Sequence, residues 1–333
     1  MNRIESEEKG VFLLNMGGPE TLADVRPFLY KLFSDPEIIR IKNPVFRRLL
    51  AWIISRTREK KSKNLYRRIG GGSPLRRITE SQAAALETTL AARGTPARVY
   101  VGMLFGKPTI DEAFDKITAD GVRRLALLPL FPQYSGTTAG ACFRYIRTLV
   151  RQRNLSETIE ISRIESWYEN PPYIDAVTDM IIAGLGRFSE NSRKDVHILY
   201  SAHSLPERRI KEGDPYLDQT LRCVSLINNR LNERINRAAG YTLAFQSKVG
   251  PVKWLEPSVE NVLRTLAHRG VRRILAVPVS FVSDHIETLY ELDIKCMNLA
   301  AKFGITEFQR AESLNVYEGF IAALAEIANG KMD

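Results

Sequence analysis

Short apolar runs alternate along this chain with stretches of helical periodicity. Val11–Asn15 reads as a strand that opens into the turn Met16-Gly17-Gly18-Pro19, and a helix follows from about Leu22 to Phe33. Gly70–Pro74 is a sharp loop, and Thr79–Arg93 has helical spacing that stops at Gly94. Arg98–Val101 predicts a strand, Thr109–Ala119 a helix and Leu125–Leu130 another strand with its tip at Phe131–Thr138. The order βαβαβ argues for a parallel, doubly wound sheet. Further on, Ile274–Phe281 is a continuous Val-rich run, as a strand buried on both faces should be. Ser283 and Asp284 supply N-cap residues for a helix over 285–303.

The second half repeats the plan of the first. GVRRLALLPLF starts at Gly121 and GVRRILAVPVSF at Gly270, 149 residues later. The same offset carries Pro108 onto Pro257, Ile110 onto Val259, Phe114 onto Leu263 and Pro129 onto Pro278. Val11–Asn15 has a counterpart in Val196–Tyr200, each followed by a turn that ends in proline. Two similar α/β halves joined near Trp167–Pro172 are therefore expected, with a ligand in a cleft between them. A chain of 333 residues has room for both cores.

Three dispersed cysteines without a C-x-x-C pair argue against a disulfide framework or zinc ribbon and fit a reducing cytoplasm. The charged start MNRIESEEKG has no apolar centre, so no signal peptide is expected, and no apolar run approaches the ~20 residues of a membrane span. The net charge of +10 invites a nucleic-acid reading, but the basic residues are scattered except between Arg40 and Arg77. There, Arg47, Arg48, Arg56, Lys60 and Arg67 alternate with Phe46, Leu49, Trp52 and Ile53, which suits an anionic surface or an anionic amphipathic ligand. Composition by itself fits a solvated helix with a core-facing stripe better.

The candidate chemistry collects in the second half. His203 in YSAHSLP follows one strand, and His285 and Glu287 follow another, so in a parallel sheet they share the edge where such sheets bind ligands. Imidazole and carboxylate serve equally as ligands for a first-row metal or as an acid/base pair. Glu287 and Glu291 are four apart and share a helix face, an arrangement that fits a cation path or a proton relay as well as a solvent-facing acidic edge.

LNMGGPE (Leu14–Glu20), YRRIGGGSP (Tyr66–Pro74), SAHSLP (Ser201–Pro206), QSKVGPVKWLEP (Gln246–Pro257), SDHIETLYELD (Ser283–Asp293) and RAESLN (Arg310–Asn315) together resemble the ferrochelatase family, in family order across about residues 10 to 316. The resemblance implies two Rossmann-like, chelatase-type domains: 1–166 with 312–333, carrying a porphyrin lip in 28–77, and 167–311, carrying the catalytic site. It implies a lyase of heme biosynthesis that inserts Fe2+ into protoporphyrin IX and releases two protons. A coproporphyrin III ferrochelatase or a non-catalytic porphyrin carrier stays open as an alternative. His203 matches the family's active-site histidine, as metal ligand or as proton acceptor. Glu287 matches its acidic partner on the metal path, His285 a supporting neighbour, and Glu291 a further step of that path. Met16, Arg56, Tyr66 and Ser73 match porphyrin-contacting positions.

The resemblance further implies Fe2+ as substrate with no permanently bound cofactor. No [2Fe-2S] cluster is expected, because the cysteines of the cluster-bearing members' C-terminal extension have no counterpart. The partners it implies are porphyrin and Fe2+; the scattered charge argues against nucleic acid, and the cysteine usage and the basic-aromatic stretch 46–68 suit a cytoplasmic protein that touches the inner face of the membrane. Leu104, Phe105 and Phe131 stand where many members have arginine and tyrosines, and Lys295 where the acidic ladder would continue.

Overall fold

A computed structural model describes residues 9–332 apart from 156, 249 and 251. Positions 1–8 of the charged start, and Val249 and Pro251 of the QSKVGPVKWLEP motif, lie outside the described residues. The chain divides into two units, Met1–Ser166 with Leu324–Asp333, and Trp167–Ala323.

Each unit is built on one four-stranded parallel sheet. In the first the strands are β1 (Lys9–Asn15), β2 (Arg98–Met103), β3 (Arg124–Pro129) and β4 (Glu160–Arg163), in the order β2-β1-β3-β4. In the second they are β5 (His197–His203), β6 (Tyr241–Gln246), β7 (Arg273–Pro278) and β8 (Glu307–Arg310), in the order β6-β5-β7-β8. The two orders are the same, and the duplication extends to single hydrogen bonds. Leu130 N–H donates to Leu14 O at 2.8 Å in the first unit, and its counterpart Val279 N–H donates to Ser201 O at 3.0 Å in the second. In both units the first strand lies between the second and third, so the chain turns to one side after the first strand and to the other after the third. The C-terminal ends of these two neighbouring strands are the place where parallel sheets of this order bind ligands.

The helices follow from capped amphipathic segments. In the first unit they are α1 (Val25–Ser34), α2 (Pro44–Arg67), α3 (Leu75–Ala92), α4 (Ile110–Ala119) and α5 (Ala139–Gln152). The second unit has α6 (Pro171–Gly186), α7 (Glu207–Lys211), α8 (Tyr216–Ile235), α9 (Val259–His268) and α10 (Met297–Lys302), and α11 (Glu318–Asn329) ends the chain. Thr109 and Glu112 form a capping box on α4, and Ser258 caps the equivalent α9. Their buried faces meet the strands. Phe12, Leu14, Phe114 and Leu127 are central to one core, and Leu199, Leu263, Ile274 and Leu292 to the other.

Four expectations change. The strand expected over Ile274–Phe281 ends at Pro278, because the backbone bends at Val279 and Ser280 and leaves the ladder. The helix expected over 285–303 is instead a π-helical segment, Glu287–Cys296, continued by α10. Asp284 does not cap it; its carboxylate accepts from Thr288 Oγ1, Ser313 Oγ and Asn315 Nδ2 instead. Helix α2 does not turn its apolar stripe into a core. Among its residues only Ala51, Ser55 and Tyr66 are buried, while Val45 is 73 % and Phe46 64 % exposed, with Leu49, Trp52 and Ile53 exposed beside them.

Candidate active site

Three adjacent strands assemble the polar groups of the second unit. His203 is the last residue of the central strand β5, paired in register with Gln246 at the end of β6. Ser247 is the next residue after β6, and Ser280, Phe281 and Glu287 follow β7 on the other side. Side chains fix this edge firmly. Tyr216 O–H donates to His203 O at 2.8 Å and lies 2.6 Å from Ser280 Oγ, and Gln246 Nε2 donates to the Glu287 carbonyl at 2.9 Å.

His203 Nδ1 lies 2.8 Å from Glu287 Oε2. A carboxylate only accepts, so Nδ1 carries the proton and Nε2 keeps the lone pair of the neutral imidazole. Its side chain is 36 % exposed, so a ligand can reach it. Burial works against a charge on His203, but the adjacent Glu287 carboxylate outweighs it and raises the imidazole's pKa. Burial likewise opposes charge on Glu287, and the histidine outweighs it and holds the carboxyl below the usual carboxylate range.

Ser247 joins this pair to Glu291. Its hydroxyl oxygen is 2.7 Å from Glu287 Oε2 and 2.9 Å from Glu291 Oε2. One hydroxyl proton cannot serve two carboxylates. When Ser247 donates to Glu287, the second contact needs a proton on Glu291, and burial together with the nearby Glu287 charge pushes that carboxyl up to about 7. A protonated acid, a hydroxyl, a carboxylate and an imidazole thus form one hydrogen-bonded row. Ser247 was not singled out from the sequence. The signal was its place directly after a strand inside QSKVGP, and it adopts φ +68°, a conformation uncommon for serine.

His285 stands apart from this row. Its ring packs against Phe281 with centroids 4.5 Å apart, and Phe281 in turn meets His203 at 6.2 Å. Burial lowers its pKa, and Nδ1 is buried without a partner among the described residues. No set of three or more His, Cys, Asp or Glu side chains suited to a metal ion occurs among the described residues.

The sequence-predicted contacts Met16, Tyr66 and Ser73 belong to the first unit, where two motifs interlock. Ser73 N–H donates to Pro19 O at 2.7 Å, Arg76 pairs with Glu20 at 3.0 Å, and Tyr66 O accepts from Gly71 N–H at 2.9 Å. The 104–105 segment closes on the same loop, since Leu104 and Phe105 N–H donate to Asn15 and Met16 carbonyls, both at 2.9 Å. Phe105 is buried and Leu104 packs against the core. Arg56 is exposed and stacks on Trp52 at 4.8 Å, ten residues or ~15 Å of helix rise from Tyr66.

Asp284 makes a measurable prediction. Burial raises its pKa, but Arg310 and three side-chain hydrogen bonds outweigh this and depress it. A depressed carboxylate contributes its full stabilisation above the ordinary value of about 4 and loses it as pH falls below. Asp284→Asn is expected to cost about 2 kcal/mol at neutral pH. Urea unfolding should show the gap to wild type narrowing toward pH 3.5; a constant gap would exclude the charge as its origin.

The fold is one shared with chelatases of known structure. Solved structures of similar fold include the sirohydrochlorin chelatase SirB from Bacillus subtilis subspecies spizizenii in complex with cobalt (TM-score 0.55, 12 % identity, covering 98 % of this chain and 95 % of that one). Another is CbiX, described as the terminal enzyme for biosynthesis of siroheme in denitrifying bacteria (TM-score 0.52, 13 % identity, 98 % and 100 % covered). The family model Ferrochelatase matches residues 8–332. Curated ferrochelatases are 49 % identical in Gloeobacter violaceus, with 96 % of each chain covered, and 47 % in Gloeothece citriformis, with 96 % of this chain and 81 % of the relative covered. This chain belongs to the ferrochelatase family and is a metal-chelatase lyase.

Proposed function

We propose that this enzyme inserts Fe2+ into protoporphyrin IX in heme biosynthesis, with His203 as the proton acceptor. The hydrogen bond of His203 Nδ1 to Glu287 carries the reading, because it turns the basic Nε2 outward and stabilises the imidazolium that forms. Metalation requires both pyrrole N–H protons to leave. His203 takes up one proton at Nε2, and the row Glu287–Ser247–Glu291 carries a proton away from the imidazole only after Glu291 has released its own, which reverses the hydrogen bonds of Ser247. Iron is the substrate and no resident cofactor is invoked. Glu287, with His203 as an alternative nitrogen donor, offers hard and borderline ligands suited to stepwise loss of water from Fe2+. His285, neutral and without a direct hydrogen bond to the pair, supports it through the Phe281 packing.

Met16, Tyr66 and Ser73 are assigned to the porphyrin because they surround the interlocked Gly-rich loops, and Arg56 to its propionates as an exposed bidentate donor. Fe2+ insertion assayed anaerobically with protoporphyrin IX and coproporphyrin III side by side tests the reading. Faster metalation of protoporphyrin IX supports it; preference for coproporphyrin III replaces the substrate, and binding without turnover overturns the activity. The carrier alternative is not favoured by the family assignment.

The exposed apolar face of α2, interleaved with Arg47, Arg48, Arg56 and Lys60, fits the cytoplasmic face of an anionic bilayer. No helix among the described residues is long and apolar enough to cross a membrane. Co-sedimentation with vesicles rich in anionic phospholipid should weaken with salt, and by about tenfold in Trp52→Ser. Binding that is indifferent to both would exclude this face.

A further inference from the structure

Nothing in ETLYELDIKC forbids an ordinary α-helix, since the segment has neither proline nor glycine. Its π winding is therefore imposed from outside. One side is held by burial: Thr288, Leu292, Cys296 and Ala300 recur every four residues and are all buried. In an α-helix such a row drifts by about 40° per step, whereas hydrogen bonds closed one residue later keep it straighter.

Another side is held by a side chain from the end of β8. Arg310 Nε and Nη2 donate to the two oxygens of Asp293 at 2.7 and 2.9 Å. Its Nη1 reaches Asp284 Oδ1 at 3.2 Å, along with Ser313 Oγ and the Ala311 carbonyl at the same distance. Asp284 is fixed independently by Asn315 and Ser313 at 2.9 and 2.8 Å, and it hydrogen-bonds Thr288 at 2.9 Å. The guanidinium side chain is 9 % exposed, so this clamp is largely shielded from water. One planar group thus grips both the turn that enters the π segment and that segment's seventh residue. An α-wound segment starting from the same turn would carry Asp293 around the axis and away from Arg310.

We infer that Arg310 is a positioning residue for iron insertion: by bracketing the segment at Asp284 and Asp293 it holds the π winding that lines up Glu287 and Glu291 on Ser247. The inference rests on the reading of His203 and Glu287 as the reacting pair. Lysine, a point charge without a fork, cannot make the same double grip.

The test compares wild type, Arg310→Lys and the milder Asp293→Asn as full-length chains in anaerobic iron insertion at a temperature where each is folded. The expected result for Arg310→Lys is a rise in KM for Fe2+ with a fall in kcat, together about tenfold or more in kcat/KM, while KM for porphyrin is unchanged. Asp293→Asn should move the same way by about threefold. Wild-type values in both variants, or a porphyrin KM that shifts in proportion, overturn the inference. A wild type that inserts no iron sinks the functional reading alone. A crystal structure of Arg310→Lys in which Glu287–Cys296 stays π-wound sinks the role of Arg310 whatever the activity.

Discussion

His203→Ala is expected to slow iron insertion by about 10²- to 10⁴-fold, the range a positioned general base supplies. The variant loses the imidazole bonded to Glu287, and with it the lone pair presented at Nε2. The proposed porphyrin contacts Met16, Tyr66 and Ser73 belong to the other unit, so porphyrin affinity should persist. Fluorescence titration of porphyrin beside the anaerobic insertion assay separates the two quantities. Turnover within about tenfold of wild type would remove His203 from the chemistry. Loss of porphyrin binding in parallel would make it a binding residue instead.

Gly72→Ala should be the most damaging single-methyl change in the first unit. A Cβ at position 72 would lie 1.8 Å from Glu20 O and 2.5 Å from Glu20 C, and backbone atoms cannot swing aside as a side chain tip does. The neighbouring fit is as close: a Cβ on Gly18 would come within 2.8 Å of Ser73 Cβ, and Gly17 at φ +81° would meet Gly106 N at 2.7 Å. Separating these loops breaks the Ser73–Pro19 bond at 2.7 Å and shifts Tyr66 and Ser73 together. We expect a loss of about 3 kcal/mol in urea unfolding, at the upper end of overpacking effects. Porphyrin affinity should fall by about tenfold or more. Wild-type stability in this variant would show that the two loops yield more easily than their packing indicates.

Both predictions draw on residues that were legible before the fold was known, but for different reasons. His203 and Glu287 stand out because short apolar strands followed by polar residues mark sheet edges, and the resemblance to a family named the pair. The glycines of GGGSP and MGGP read as turns, but that one loop locks into the other depends on a contact more than fifty residues away in sequence. The apolar face of α2 illustrates the opposite failure. Its spacing is that of an ordinary buried stripe, and only the packing of the whole chain shows that it is exposed.

Periodicity and the repeat spaced by 149 residues were enough for two similar parallel α/β units, because burial on both faces writes an uninterrupted apolar run into each central strand. The short edge strands β4 and β8, half-exposed and polar, carry no such run, so periodicity does not mark them. The winding of Glu287–Cys296 was equally hidden. Local propensity there favours no π-helix, and the choice is made by buried side chains on one flank and by Arg310 on the other. Ser247 entered the site for the same reason: its hydroxyl matters only because the fold sets it between two carboxylates drawn from a distant helix. Local sequence encodes which residues are buried and where the chain turns; distances between groups far apart along it are set by packing alone.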